Sequence, residues 1–224
     1  MSIKHWPEGE RPREKLLAHG ATALSDAELL AILLRTGIQG MSAVDLARYL
    51  LQQFGSLAQL MSADAATLCR HKGMGMASYT QFAVVREIGR RVLAADMAAA
   101  PLFDQPQAVA DYLRLQLGQE KVEVCLALLL NQQNRLLHTV ELSRGTVAEN
   151  TVYVREVVTL ALQHHATALI LAHNHPGGLA TPSAEDIALT RRLQQALALV
   201  DVHLLDHFIV TSQHAASMAE LGYI

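Results

Sequence analysis

Hydrophobic residues in the first hundred positions recur at intervals of three and four, which is the spacing of an amphipathic helix. Ser25 and Ser42 each stand directly before such a run, and serine is a preferred residue at helix N-termini. Gly37 and Gly55 follow the two runs, where glycine commonly ends a helix. The pattern predicts one helix from Ser25 to Gly37, a second from Ser42 to Gly55, and further short helices after them.

The hydrophobic pattern changes character in the stretch 95–107, where alanine-rich sequence gives way to two prolines. We place a domain boundary near Pro101. The prediction is therefore a small all-α domain over residues 1–100 and a second domain over residues 101–224.

Strands alternate with helices in the second half of the chain. Continuous apolar runs predict buried strands, and polar turns separate them. The predicted elements are a strand at 122–131, a strand at 135–143 that pairs with it as a hairpin, a helix at 155–165, a strand at 167–174, a helix from Ser183 to about Val200, and a strand at 202–211. This order is typical of an α/β layered domain.

Composition narrows the class of protein. Hydrophobic residues make up 51% of the 224 positions, enough for a sizeable core, and the net charge of −3 gives no overall basic surface for nucleic acid. The two cysteines, Cys69 and Cys125, lie far apart in apolar surroundings, as reduced thiols do. No signal peptide is recognisable, and no apolar run approaches the ~20 residues of a membrane span. We predict a soluble cytoplasmic protein without membrane contact.

One segment of the first domain, residues 69–91, resembles a helix-hairpin-helix element, which binds nucleic-acid phosphates through backbone amides. Its turn contains Gly73 and Gly75, and the helix after it carries three arginines: Arg86, Arg90 and Arg91. Ser78 and Tyr79 stand where the motif has a Lys-Ala pair. We favour a structural turn between packed helices over phosphate binding, so nucleic acid is only a possible partner of this domain.

The residues of the second domain that can take part in catalysis or metal binding lie at the end of the strand predicted at 167–174 and shortly after it. His173 and His175 are two residues apart on an extended segment, so both imidazoles point to one side. Asp186 lies one turn into the next predicted helix, and its carboxylate can reach back to them. Two imidazoles and one carboxylate leave a tetrahedral zinc with one open position, which is typical of catalytic sites.

Each of these residues also has a simpler interpretation. Ser183 and Asp186 have the spacing of a helix capping box, and His173 and His175 can be polar residues at a strand end. The joint spacing, His-x-His, seven residues and then Ser-x-x-Asp, favours the metal site.

This spacing resembles the signature of the JAMM or MPN-type zinc metallopeptidases. The segments HNHP, PS-x-x-D and LLDHFIV make the chain similar to RadC-like members of the UPF0758 type. The resemblance covers the second domain fully and the first more loosely. It implies a three-layer α-β-α domain with a mixed sheet, related to cytidine deaminases and preceded by the helix-hairpin-helix-like domain. It also implies one zinc ion per chain on His173, His175 and Asp186.

The resemblance further implies two catalytic residues. Family enzymes carry a glutamate at the start of an earlier strand, and Glu123 matches it as the general base that activates water. Glu141 and Glu156 are the rival candidates. Ser183 lies close to the metal and is expected to donate a hydrogen bond to the oxyanion. His207 either supports the site, faces the substrate, or is a partly buried histidine at a strand start.

The sequence therefore predicts a zinc-dependent metallopeptidase that cuts a peptide or isopeptide bond of an unidentified substrate. An alternative is a DNA-associated binding protein whose metal site is structural or vestigial. A second alternative is a hydrolase of nucleotides or nucleic acids, although the Pro-Cys-x-x-Cys ligands of zinc deaminases are absent. Iron, nickel or manganese can also occupy such a ligand set.

Overall fold

The computed structural model of the protein describes residues 6–102, 106–145 and 152–224. The chain forms two compact units, Met1–Glu87 and Ile88–Ile224. The division falls inside a single long helix, α6 (Met76–Ala99). The domain boundary near Pro101 lies just beyond this helix and stays a prediction.

The described part of the first unit is helical, as the sequence predicts. Its elements are α1 (Pro12–His19), α2 (Asp26–Leu34), α3 (Ala43–Phe54), α4 (Leu57–Met61), α5 (Ala65–Leu68) and the beginning of α6. Large apolar side chains from successive helices are fully buried in its core: Leu30, Leu46, Leu50, Leu60, Leu68 and Phe82.

Capping side chains set the starts of α2 and α3 where the sequence predicts them. Ser25 accepts a hydrogen bond from the backbone of Glu28, and Ser42 accepts one from the backbone of Asp45. In both helices the acidic side chain bonds back to the capping residue, which completes a capping box. Helix α3 ends at Gly55, as predicted.

Helix α2 ends earlier than predicted, at Leu34 instead of Gly37. Arg35 takes a positive φ of 68° and leaves the helical path. The N–H of Thr36 then donates to the carbonyl oxygen of Leu34 at 2.8 Å and closes a tight turn. A non-glycine residue in this conformation gives no sequence signal, so the prediction placed the end at the next glycine.

The second unit is built around a five-stranded mixed sheet in the order β2-β1-β3-β4-β5. Its elements after α6 are α7 (Pro106–Leu117), β1 (Val124–Leu130), β2 (Leu136–Arg144), α8 (Val154–Gln163), β3 (Ala168–Asn174), α9 (Ala184–Ala198), β4 (His203–Val210) and β5 (Ala215–Ser217). Strand β1 pairs antiparallel with β2 and β3, β3 pairs parallel with β4, and β4 pairs antiparallel with β5. The predicted hairpin and mixed sheet are confirmed, and β5 is an additional strand.

Apolar side chains cover both faces of this sheet, so the unit has the predicted three layers. One face packs against α7 through Tyr112, Leu113 and Leu117. The other packs against α8 and α9 through Val157 and Leu193. All seven residues of β1 and all seven of β3 are buried, which makes these two strands a rigid base for the residues that follow β3.

None of the helices in the described ranges combines the length and the apolar character needed to cross a membrane. The longest, α6, has 24 residues but includes Arg86, Arg90 and Arg91.

Candidate metal centre

The side chains of two histidines and an aspartate lie close together at the end of β3, beside the N-terminus of α9. His173 is the next-to-last residue of β3 and His175 follows its end. Asp186 stands in the first turn of α9, three residues after the capping residue Ser183. The side chains of His173 and Asp186 are 9% and 12% exposed, and that of His175 is 19% exposed, so the cluster is largely shielded but reachable.

The ligand atoms of the three side chains converge on one point. The Nε2 atoms of His173 and His175 lie 3.0 Å apart. Oδ1 of Asp186 lies 3.0 Å from Nε2 of His173, and Oδ2 lies 3.5 Å from Nε2 of His175. This group offers one ligand atom per residue with all atoms within 4.8 Å of one another, a spacing that is compatible with binding one metal ion.

The donor set fits a small divalent cation. Tetrahedral zinc with bonds of about 2.0–2.1 Å separates neighbouring ligand atoms by about 3.3 Å, and the distances here bracket that value. Nδ1 of His175 donates a hydrogen bond to the carbonyl oxygen of Leu179 at 2.8 Å, so in the neutral form of this ring the lone pair lies on Nε2. Lone pairs that face one another at 3.0 Å repel unless a cation or proton lies between them.

The capping box predicted for Ser183 and Asp186 is present as well. Ser183 donates from its backbone N–H and from its Oγ to Oδ2 of Asp186, each at 2.7 Å, and its Oγ accepts from the backbone of Asp186 at 3.1 Å. The two interpretations of these residues are therefore compatible: the cap fixes the carboxylate in the position where it faces the histidines.

The charges of the cluster favour a metal site. Although burial opposes ionisation, the adjacent imidazoles of His173 and His175 hold the pKa of Asp186 well below its usual range. The nearby carboxylate of Asp186 in turn raises the pKa of His175. Asp186 is therefore an anion at neutral pH, which is the state in which a carboxylate binds a metal ion.

A buried chain of hydrogen bonds supports His173 from behind. Its Nδ1 lies 2.8 Å from Nε2 of His207, and Nδ1 of His207 lies 2.7 Å from Oγ1 of Thr190. Thr190 also donates its hydroxyl to the backbone carbonyl oxygen of Asp186 at 2.7 Å. Burial lowers the pKa of His207 to about 3, so this ring is neutral at neutral pH. The chain thus links two of the three predicted ligands.

Glu123 lies directly before β1 and is exposed. Its negative charge acts on the cluster, because it adds to the effect of Asp186 in raising the pKa of His175. It also adds to burial and Asp186 in raising the pKa of the buried Cys125 thiol, whose backbone pairs with that of His173.

The rival glutamates are engaged elsewhere on the surface. Glu141 on β2 forms an ion pair with Arg144 at 2.8 Å. Glu156, at the start of α8, pairs with the neighbouring Arg155 at 3.1 Å and has a side chain that is 60% exposed. Of the three candidates, Glu123 is the one whose charge acts on a residue of the cluster.

Asn174, between the two histidines, holds the segment that carries Glu123. Its buried side chain accepts a hydrogen bond from the N–H of Val124 at 2.8 Å. It donates to the carbonyl oxygens of Val122 and Glu120 at 2.9 and 3.2 Å. All three bonds are made to backbone atoms on either side of Glu123, so the amide fixes where this residue enters β1.

Sequence reasoning missed the roles of Asn174 and Thr190 and left that of His207 open. Thr190 lies four residues after Asp186 on α9, hence on the same helix face, and this spacing was the available signal. Asn174 faces away from the histidines on the strand, and its partners lie about fifty residues earlier, which no local pattern reveals.

Comparisons with known proteins find a family match for each half of the chain. A family model described as RadC-like JAB domain matches residues 103–223, and one described as UPF0758 N-terminal matches residues 3–80. A UPF0758 protein of Neisseria meningitidis serogroup B is 69% identical over 222 residues, 99% of each chain. UPF0758 proteins of Aromatoleum aromaticum and Chromobacterium violaceum are 57% and 51% identical, with 100% of both chains covered.

Proposed function

The chain belongs to the UPF0758 family and carries a RadC-like JAB domain, and on this premise we propose that it is a zinc-dependent hydrolase that cleaves peptide or isopeptide bonds. The observation that carries the proposal is the convergence of His173, His175 and Asp186, with ligand atoms within 4.8 Å of one another. These three residues would hold one zinc ion per chain.

A zinc ion held by these residues would supply Lewis-acid chemistry, polarising the substrate carbonyl and lowering the pKa of water at the site. Glu123 is the general base. Its carboxylate takes a proton from the attacking water and delivers it to the leaving amine nitrogen. The coupling of its charge to His175 supports this assignment, and Asn174 orients the backbone that carries it.

The hydrogen bonds behind the site keep the correct nitrogen of His173 free. Two oxygens 2.7 Å apart, Oγ1 of Thr190 and the carbonyl of Asp186, need a hydrogen between them, and the hydroxyl has only one. The hydrogen between Thr190 and His207 must then sit on Nδ1 of His207. Nε2 of His207 is consequently an acceptor, so Nδ1 of His173 carries the proton and its Nε2 keeps the ligand lone pair.

Ser183 has two parts to play in this proposal. It orients Asp186 through the capping box, as its three hydrogen bonds with that residue support. Its hydroxyl also donates to the oxyanion that develops on the substrate carbonyl, which requires the hydroxyl to rotate away from the carboxylate. Loss of this hydroxyl is expected to lower turnover more than substrate binding.

The proposal is tested with a library of bacterial peptides incubated with the zinc-loaded protein, with new chain termini recorded by mass spectrometry. We expect cleavage by the wild-type protein, at least a hundredfold less by Glu123→Gln, and unchanged cleavage by the matched variant Glu141→Gln. No new termini with wild-type protein, or equal cleavage by the Glu123→Gln variant, contradicts the proposal.

A further inference from the structure

The first unit contains a cavity that is lined by arginine residues and by an apolar wall. It has a volume of about 630 Å³ and is bordered by α1, the end of α2 and the beginning of α3. This volume is within the range of about 300–1,000 Å³ that is usual for pockets that bind small organic molecules. Its charged lining residues are Arg11, Arg13, Glu14 and Arg35. All of its lining residues belong to the first unit, and none of them is a residue of the metal centre.

Two of these arginines are exposed and form no ion pair within the part of the chain that the structure describes. Arg11 lies 3.7 Å from the carboxylate of Glu14, and its Nε donates to the carbonyl oxygen of Trp6 at 3.0 Å. Among the residues that the structure describes, Arg13 and Arg35 have neither an ion-pair nor a hydrogen-bond partner for their guanidinium groups. The lining therefore offers two guanidinium groups to a ligand.

The backbone holds Arg35 at this cavity in a strained conformation. Its φ of 68° and the hydrogen bond across it, from Thr36 N–H to the Leu34 carbonyl oxygen at 2.8 Å, define a γ-turn of the rare positive-φ form. Glycine takes such a conformation without strain, yet the chain has arginine there. Strained residues of this kind persist where the surrounding structure imposes them, and they concentrate at functional sites.

The loop after Arg35 is fixed by close packing. A Cβ atom on Gly37 would lie 2.1 Å from the carbonyl oxygen of Met41, so the two ends of this loop touch. Ile38 and Met41 exchange two backbone hydrogen bonds of 3.0 Å across it. The wall of the cavity is thus preformed, which lowers the entropy cost of binding a ligand.

We propose that this cavity binds a phosphate monoester attached to an organic group of nucleotide size, a site that goes beyond the proposed hydrolase function. Three arginines and one glutamate give the lining a net charge of +2, which matches the charge of about −1.5 to −2 on a phosphate monoester at neutral pH. Guanidinium groups also match phosphate oxygens geometrically. The apolar lining, which includes Ile32, Ile38 and Met41, faces the organic part.

The proposal is tested by titration calorimetry of the full-length protein with the four common ribonucleoside 5′-monophosphates and, for comparison, with the nucleosides alone. We expect one of the monophosphates to bind at one site per chain and the nucleosides to bind at least tenfold more weakly. Arg13→Gln and Arg35→Gly are expected to weaken this binding at least tenfold. Arg48→Gln, which removes an exposed arginine outside the lining, is the matched control and leaves the affinity unchanged.

Thermal unfolding of the same variants separates loss of binding from loss of fold. Because glycine takes the positive φ at position 35 freely, Arg35→Gly is expected to unfold at the same temperature as the wild type or a higher one. Reduced binding in a protein of undiminished stability supports the proposal. Binding that survives in both Arg13→Gln and Arg35→Gly overturns it.

Oligonucleotides with and without a 5′-phosphate show whether the monoester comes from a free nucleotide or from the end of a nucleic-acid strand. Tighter binding of the phosphorylated strand, lost in Arg35→Gly, assigns the cavity to strand ends. The proposal is overturned if both strands bind equally and no nucleoside monophosphate binds. The contact is then with the charged backbone of the strand and not with a monoester.

Discussion

The hydroxyl group of Thr190 determines where the ring protons of two buried histidines lie. Its one hydrogen is committed to the carbonyl oxygen of Asp186, so Thr190 accepts from His207, and His207 accepts from His173. A single hydroxyl therefore decides that Nδ1 of His173 carries the ring proton and that Nε2, which faces Asp186, does not. Supporting residues of this kind commonly change metal affinity by about 10–100-fold when they are replaced.

Replacing Thr190 with valine keeps its shape but removes the acceptor for His207. The buried N–H of His207 then loses its partner, so the ring proton of His207 moves to its Nε2. Nδ1 of His173 becomes the acceptor of this proton, and the proton of His173 then lies on its Nε2, the predicted ligand atom. We expect the zinc affinity of Thr190→Val, measured by competition with a chromophoric chelator, to fall about 10–100-fold.

Thr190→Ser keeps the hydroxyl and is the matched control, with zinc affinity expected near that of the wild type. Nitrogen NMR of the wild-type protein reports the same arrangement directly, with the proton on Nδ1 of both His173 and His207. Equal affinities for the valine and serine variants contradict the role assigned to the hydroxyl.

His207 also makes the metal-free protein sensitive to acid. Burial lowers its pKa to about 3, whereas an unfolded histidine titrates near 6.5, so between these values the unfolded state binds the extra proton. Stability is therefore complete above about pH 6.5 and is lost as the pH falls towards about 3.

The expected measurement is the unfolding free energy of metal-free protein against pH. Below about pH 6.5 the wild type is expected to lose up to about 1.4 kcal/mol per pH unit more than His207→Gln, which lacks this titrating group. The comparison of slopes is independent of any constant cost of the substitution. Parallel curves contradict the assignment of a neutral, buried His207.

At the scale of elements, the starts of α3 and α9 are built alike but used differently. Both begin with a capping box, Ser42 with Asp45 and Ser183 with Asp186. On α3 the aspartate serves the helix, whereas on α9 the same carboxylate also faces His173 at 3.0 Å. The N-terminus of α9 thus combines a local stabilising motif with a ligand position.

Alanine substitution of the two capping serines separates these uses. Ser42→Ala and Ser183→Ala are each expected to lower the unfolding free energy of the metal-free protein by about 1 kcal/mol, since each removes one cap. Only Ser183→Ala is expected to lower zinc affinity as well, because Asp186 loses its orienting bonds. Zinc affinity that falls equally in both variants contradicts the distinction.

The elements that the sequence predicts well are those fixed by local chemistry. A serine cap and a glycine stop define α3 on both sides, and continuous apolar runs define β1 and β3. The predicted end of α2 was wrong because Arg35 has a positive φ, which the residue type arginine does not indicate. Strand β5 was missed because it has only three residues, too few for a periodic pattern.

The same distinction applies to the candidate site. His173, His175 and Asp186 were found because they lie within fourteen residues of one another, so their spacing carries the chemistry. Asn174 and His207 act through partners about fifty and thirty-four residues away. Such contacts depend on which strands pair, and that is a property of the folded sheet.

At the scale of the whole molecule, each half of the chain has its own family match and its own candidate site. Residues 3–80 match the UPF0758 N-terminal model and include the lining of the arginine cavity, while residues 103–223 match the RadC-like JAB domain and include the metal centre. The proposed hydrolase function depends on the second of these sites. If the triad does not bind a metal, the proposed hydrolase function has no basis.

The most direct test is the metal content of the full-length protein, measured by elemental analysis after zinc is supplied and excess is removed. The account predicts about one zinc per chain in the wild type, and loss of that zinc in His173→Ala, His175→Ala and Asp186→Asn. It predicts retention in His203→Ala, an exposed histidine at the start of β4. A wild-type protein that remains metal-free, or triad variants that keep their zinc, contradict the account.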